Sequence, residues 1–276
     1  MKSRILTLSI IAFAIFSCET ETPKKEKEKP TKGDVQETEY KPFIITGVER
    51  IKIGIGEEKE ESSIAYAYYK LSKESFRYEE EINDYLAKSI TTEMEEQSKP
   101  KGKIELSPAH FKTILKKFKT EFDNYEESFP WSYYDSTFID ESFEKFVQVK
   151  TTNYMFTGGA HGSSYLANVL FSKETGEILK LKDFVSDKSK LTKIADKYFR
   201  KVVEIGSTDD LEEAGFWFTK GFELNENFYF EGNNMVFVYN QYEVGPYSMG
   251  IIFVEIPFRE IKSLLKLDLK RTKQDT

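Results

Sequence analysis

The chain has 276 residues, with 40 Lys and Arg against 47 Asp and Glu and a formal charge of −7, a balance that argues against the phosphate backbone of nucleic acid as a partner. Its single cysteine, Cys18, excludes an internal disulfide and a cysteine-built metal site, and with only two histidines neither a metal nor a cofactor is expected. Hydrophobic residues at 39% and aromatic residues at 15% supply a core for one or two domains, so stability has to come from packing.

At the N-terminus, Lys2 and Arg4 precede the apolar run Ile5 to Phe16, which ends at Ser17-Cys18. A run of about a dozen apolar residues is too short to span a bilayer and has the layout of a secretory signal. IFSC at its end resembles a bacterial lipobox, with Phe16 bulkier than usual. The resemblance implies that residues 1–17 are a lipoprotein signal peptide and that Cys18 is the lipid-modified first residue of the mature chain. The protein would then be anchored to a membrane of a bacterial cell envelope, facing the periplasm or the exterior. Removal of Lys2 and Arg4 leaves 38 basic against 47 acidic residues, a net charge of −9. Residues 18–40 contain one aliphatic residue, Val35, among Lys, Glu, Thr and Pro, and cannot bury enough surface to offset their chain entropy. They read as a disordered tether whose reach grows as about 5–6 Å times the square root of its length.

The folded body is expected from Lys41 onward. FIITGVERIKIGIG (Phe43 to Gly56) and SSIAYAYYKLS (Ser62 to Ser72) read as two strands joined by a loop. Phe76, Ile82, Leu86, Ile90 and Met94 mark a helical stripe, and Ser107-Pro108 opens a second helix whose Phe111, Ile114, Leu115, Phe118 and Phe122 form a core face. WSYYDSTFIDESFEKFVQVKTTNYMFTG (Trp131 to Gly158) has the content of a strand meander, which YLANVLFSKETGEILKL continues, with Gly176 at the left-handed position of a hairpin turn. From Asp187 a further helix carries Leu191, Ile194, Ala195, Tyr198 and Val202 on one face. FWFTKGFELNENFYF, the turn EGNN, MVFVYNQYE, the strand MGIIFVEIPF and a closing helix REIKSLLK complete the chain. This order predicts an α+β fold of antiparallel sheets with packed helices, in two intimately joined subdomains.

Two loops carry the candidate chemistry. In TNYMFTGGAHGSSY (Thr152 to Tyr165), Gly158, Gly159 and Gly162 permit positive φ and predict a sharp reversal between two strands, with His161 hydrogen-bonding across the turn. Contact with a ligand is the alternative role for His161. Catalysis has less behind it, because Ser163 and Ser164 are too near in sequence to give nucleophile-to-base geometry, and His110 reads as an exposed first-turn residue. In NQYEVGPYSMG, Asn240, Tyr242, Glu243, Pro246 and Tyr247 make a loop rich in aromatic rings, suited to glycan stacking or to a protein contact. Alternatively, Tyr242 and Tyr247 cap the sheet edge and Gly245-Pro246 bends the chain. Trp131 and Trp217 read as core residues, with a platform for a sugar ring as the alternative. Glu223, Glu226 and Glu231 are carboxylates without a pairing signal on a glutamate-rich surface.

TNYMFTGGAHGSSY, followed by a strand and TGEILKLKDFV, is similar to the extracytoplasmic domains of RsiV-like lysozyme-sensing anti-sigma factors and to the N-terminal part of PdaC-like peptidoglycan deacetylases. FYFEGNNMVFVYNQYEVGPYSMGIIFVEIPFREI resembles the second half of that module, so the likeness spans about Phe43 to Leu265. It implies a PdaC-like domain over 41–176, an RsiV-like domain over 177–265 and a tail over 266–276. The anti-sigma and deacetylase parts of those relatives have no counterpart in the matched stretch, so neither output transfers. The resemblance implies a sensing or binding module for a cell-wall glycan or a cationic protein such as lysozyme, without catalysis of its own. Its expected contact residues are Gly158, Gly159, His161, Tyr242, Glu243 and Tyr247. The alternatives are a peptidoglycan-acting envelope hydrolase and a structural lipoprotein without a small ligand.

Overall fold

The computed structural model describes residues 43–53, 60–70, 81–85, 113, 132–156 and 158–272. Cys18 with the expected signal and tether, His110, Trp131 and most of the two helices expected between Phe76 and Phe122 lie outside the described residues. Within that helical stretch, residues 81–85 are helical and bury Ile82.

Alternation of apolar and polar side chains produces strands where the sequence predicts them. In β3 (Ser132–Asp140), Tyr133, Asp135, Thr137 and Ile139 are buried while Ser132, Tyr134 and Phe138 are exposed, the period-two pattern of a pleated strand. β1 (Phe43–Ile53) and β2 (Glu60–Lys70) pair antiparallel, from Phe43 opposite Lys70 to Ile53 opposite Glu60. β2 then pairs with β3 in parallel, Ser63 opposite Ser132, so residues 71–131 form the crossover that a parallel pair requires. β4 (Phe146–Phe156), β5 (Ser163–Ser172) and β6 (Ile178–Leu179) follow antiparallel, which completes a six-stranded sheet in chain order. Gly176 closes the β5–β6 turn at φ 73°, the left-handed position expected of it.

After the short helix α1 (Leu181–Phe184), α2 (Lys188–Val202) starts at an Asp187 cap whose carboxylate accepts the Lys190 N–H. The second sheet is the antiparallel meander β7 (Phe228–Glu231), β8 (Asn234–Tyr239) and β9 (Ile252–Pro257), followed by α3 (Phe258–Ile261). The fold is thus α+β, built on antiparallel sheets with packed helices and with one parallel pair among the described strands.

The core is aromatic and draws on both sheets. Phe184 packs against Phe146, Phe228 and Phe230 at ring centroid distances of 5.2, 5.7 and 5.2 Å. Phe199, fully buried on α2, sits among Phe216, Phe218, Phe222 and Tyr239, mostly edge to face, the favoured arrangement of ring quadrupoles. Two expectations change here. Val202, placed on the buried face of α2, is exposed because it stands in the last turn, and Phe199 anchors the helix instead. Trp217, read as core, is 53% exposed because alternation turns Phe216 and Phe218 inward and Trp217 outward.

Residues 265–272, most of them in the segment set apart by sequence as a tail, run back along the first half of the body. Lys266 N–H donates to the Phe184 carbonyl at 2.8 Å, Glu144 N–H to Lys270 at 3.0 Å, and Thr272 N–H to Ser142 at 2.8 Å. Residues Tyr40–Thr276 form a single compact unit.

Candidate functional site

β5 pairs with β6 only at Leu170 and Phe171, which leaves its edge open over the preceding residues. Side-chain amides fill that edge. The N–H groups of Ser164, Leu166 and Asn168 donate to Gln241 Oε1 at 2.9 Å, Asn240 Oδ1 at 2.8 Å and Asn227 Oδ1 at 2.9 Å. The Leu166 carbonyl in turn accepts from Asn227 Nδ2 at 2.7 Å and Asn240 Nδ2 at 2.9 Å. Three amides therefore do for β5 what a neighbouring strand would do, and they fix the NQYE turn beside the GGAHG turn. On β4, Gln148 plays the same part toward β7: its Oε1 accepts the Phe230 N–H at 2.6 Å and its Nε2 donates to the Phe230 carbonyl at 2.9 Å.

The NQYE turn is held from within. Glu243 Oε2 accepts the Asn240 N–H at 2.8 Å, Glu243 N–H donates to the Asn240 carbonyl at 3.1 Å, and Glu243 Oε1 accepts from Asn225 Nδ2 at 2.7 Å. Tyr242 adopts φ 63°, a left-handed conformation uncommon for a bulky residue, and presents a ring that is 52% exposed. Opposite it, Gly158 and Gly159 stand at φ 101° and 93°, as the reversal requires. Gly162 differs from the expectation: its φ is not positive, and it is needed because the Tyr154 ring lies where a Cβ would be.

These two turns bring three predicted residues together. The His161 ring stacks on Tyr247 with centroids 3.5 Å apart and planes at 16°, while Tyr242 and Tyr247 lie 5.7 Å apart. His161 Nδ1 is 3.1 Å from the Gly162 carbonyl, and its Nε2 stands 3.5 Å from the Tyr242 hydroxyl. The histidine thus touches its own turn through the Gly162 carbonyl and the neighbouring loop through Tyr242 and Tyr247. A carbonyl and a phenol at its nitrogens supply no carboxylate to orient it as a base, and the three rings offer contact surface. Glu243, Gly158 and Gly159 shape the two loops that carry that surface.

The remaining carboxylates serve separate structures. Glu226 accepts the Leu181 N–H at 2.8 Å, and Glu231 lies 3.4 Å from Lys150 Nζ, whose ammonium also sits 3.8 Å over the Tyr229 ring. Burial, with Glu231 and Glu255 nearby, pushes the Tyr229 phenol up to about 12. Among the described residues no group of three or more His, Cys, Asp or Glu side chains is placed to hold a metal ion. The amide contacts of Asn227, Gln241 and Gln148 have no counterpart in the sequence reading, since their partners lie about sixty to eighty residues away and leave no local pattern; their only trace is that each sits at or beside a strand.

Residues 181–259 match the family described as a protein of unknown function, DUF3298, a span from α1 into α3 that includes Tyr242 and Tyr247 and leaves out His161. No curated protein matches the chain. The crystal structure of a DUF3298 family member from Bacteroides fragilis is 18% identical, with 82% of this chain and 94% of that chain covered at a TM-score of 0.65. That of a DUF3298 family protein from Pseudomonas aeruginosa is 16% identical, with 85% and 99% covered at a TM-score of 0.56. At such identities the likeness is one of fold. The chain is therefore similar in architecture to DUF3298 proteins along most of its length, and residues 181–259 match that family in sequence as well.

Proposed function

We propose that this protein is a binding module of the bacterial cell envelope, lipid-anchored through Cys18, whose contact surface is the ring cluster of His161, Tyr242 and Tyr247. Its ligand is a cell-wall glycan or a cationic protein such as lysozyme, and it performs no catalysis of its own. The observation that carries this reading is the ring stack between two loops that amide side chains hold in place. Rings fixed before a ligand arrives lose little freedom on binding, and their faces suit both the C–H faces of sugars and the side chains of Arg and Lys. The charge of −9 on the chain from Cys18 onward favours a cationic partner by long-range attraction.

The test is thermal unfolding of the protein with soluble peptidoglycan fragments and, separately, with lysozyme. A ligand bound only by the native state stabilises it by about 2.7 kcal/mol at a hundredfold excess over its dissociation constant. Binding weakens in His161→Ala and Tyr247→Ala. It also weakens with salt if the ligand is lysozyme, and holds if it is a neutral glycan. No shift with either ligand would leave a structural lipoprotein. Peptidoglycan turnover that disappears in His161→Ala would make the protein a hydrolase.

A further inference from the structure

A second concavity lies away from the ring cluster, between the start of the β3–β4 connection, the β7–β8 turn and the C-terminal strap. It encloses about 440 Å³, within the range of small-molecule sites, and its wall includes Phe138, Asp140, Ser142, Lys150, Glu231 and Arg271. Arg271 is held before any ligand is present. Its guanidinium carbon lies 4.4 Å over the Phe143 ring, and Nη1 donates to Ser142 Oγ at 2.6 Å. The strap beneath is fixed by the Phe143–Arg271 bridge and by Thr272, whose N–H and Oγ1 both donate to the Ser142 carbonyl. Among the described residues no carboxylate forms an ion pair with Arg271. A guanidinium has five N–H donors in a planar fork, so four remain on a side chain whose position is already set.

The opposite charge is also fixed. Asp140 Oδ1 accepts the Ser142 N–H at 2.9 Å and Oδ2 accepts from Gln148 Nε2 at 3.1 Å. Burial opposes its ionisation, and the bonds from Ser142 and Gln148 with the charge of Arg271 outweigh burial and hold the carboxyl below its usual range. Lys150 and Glu231 already face each other at 3.4 Å. A ligand of one sign alone would meet repulsion from either Arg271 or Asp140. A molecule carrying both signs satisfies both.

We propose that this cleft binds an amino-acid-type zwitterion, either a free α-amino acid or a dipeptide, with its carboxylate on the Arg271 guanidinium and its ammonium facing Asp140. The experiment is calorimetric titration of the full chain at low salt with the dipeptide alanyl-phenylalanine, its C-terminal amide, its N-acetyl derivative and inorganic phosphate. The dipeptide binds, and both derivatives bind about ten- to hundredfold more weakly, the effect of losing a hydrogen bond to a charged group. Arg271→Gln shows a similar loss, Arg271→Lys a smaller one, and Tyr247→Ala none, with the unfolding midpoint of each variant confirming the fold. If Arg271→Gln fails to fold, the ligand series on the unaltered chain decides. Absence of dipeptide binding, equal binding of the amide and the acid, or tighter binding of phosphate than of the dipeptide would each overturn the assignment.

Discussion

Replacing Gln148 by Leu tests whether amide side chains join the two sheets. Gln148 is 1% exposed, and its amide satisfies both the N–H and the carbonyl of Phe230, itself 1% exposed. Leucine has a similar volume, so little cavity forms, but two buried backbone groups lose their partners. Each costs about 1–3 kcal/mol, which puts the expected loss near 4 kcal/mol, with a further contribution because Asp140 loses the Nε2–H bond. For a body of this size, a loss of about 4 kcal/mol lowers the unfolding midpoint by roughly 8–16 °C. Urea unfolding followed by circular dichroism gives the free energy directly, with an unchanged slope showing that the transition itself has not altered. Glu177→Gln, at an exposed turn, serves as a control within about 0.5 kcal/mol. A loss below about 1 kcal/mol for Gln148→Leu would refute the reasoning, because it would mean that Phe230 does not depend on the amide.

Further expectations concern local chemistry. Because the Tyr229 phenol titrates near 12 in the folded chain and near 10 in the unfolded one, the unfolded chain loses that proton first, and stability falls as pH rises through this window. Tyr229→Phe flattens the fall, and ultraviolet titration of the folded protein shows one phenol fewer ionising near the upper limit. Gly159→Ala places a side chain in open space at φ 93° and costs about 1 kcal/mol through backbone strain alone. Gly162→Ala displaces the Tyr154 ring instead, which a change in near-ultraviolet circular dichroism reports. Trp217→Phe costs less than about 1 kcal/mol, against about 3–5 kcal/mol for truncation of a core tryptophan, and Trp217 fluorescence is open to a soluble quencher.

The elements legible in the sequence were those whose signal is local. Alternation located the strands from Phe43 onward, and glycine placed the turns at Gly158, Gly159 and Gly176. Three features depended on contacts remote in sequence and left no local mark. The parallel pairing of β2 with β3 is set across residues 71–131, beyond the range of any periodicity. Phe199 and Val202 both fit a helical stripe, and only the rings of Phe216, Phe218 and Phe222 distinguish them. The wall of the zwitterion cleft joins Asp140 and Ser142 to Arg271, which pattern reading assigned to a tail. Of the candidate contact surface, the sequence singled out both loops, and the structure adds the stack of His161 on Tyr247 that joins them.

The amide groups that complete the edge of β5 come from residues 227–241, some sixty to eighty positions later in the chain, as the separations of 59, 74 and 77 residues show. During synthesis from the N-terminus, β5 therefore emerges well before its partners and waits with alternate N–H groups bare. A nascent or truncated chain ending before Asn227 carries an open strand edge able to recruit another copy, and chain completion is what seals it.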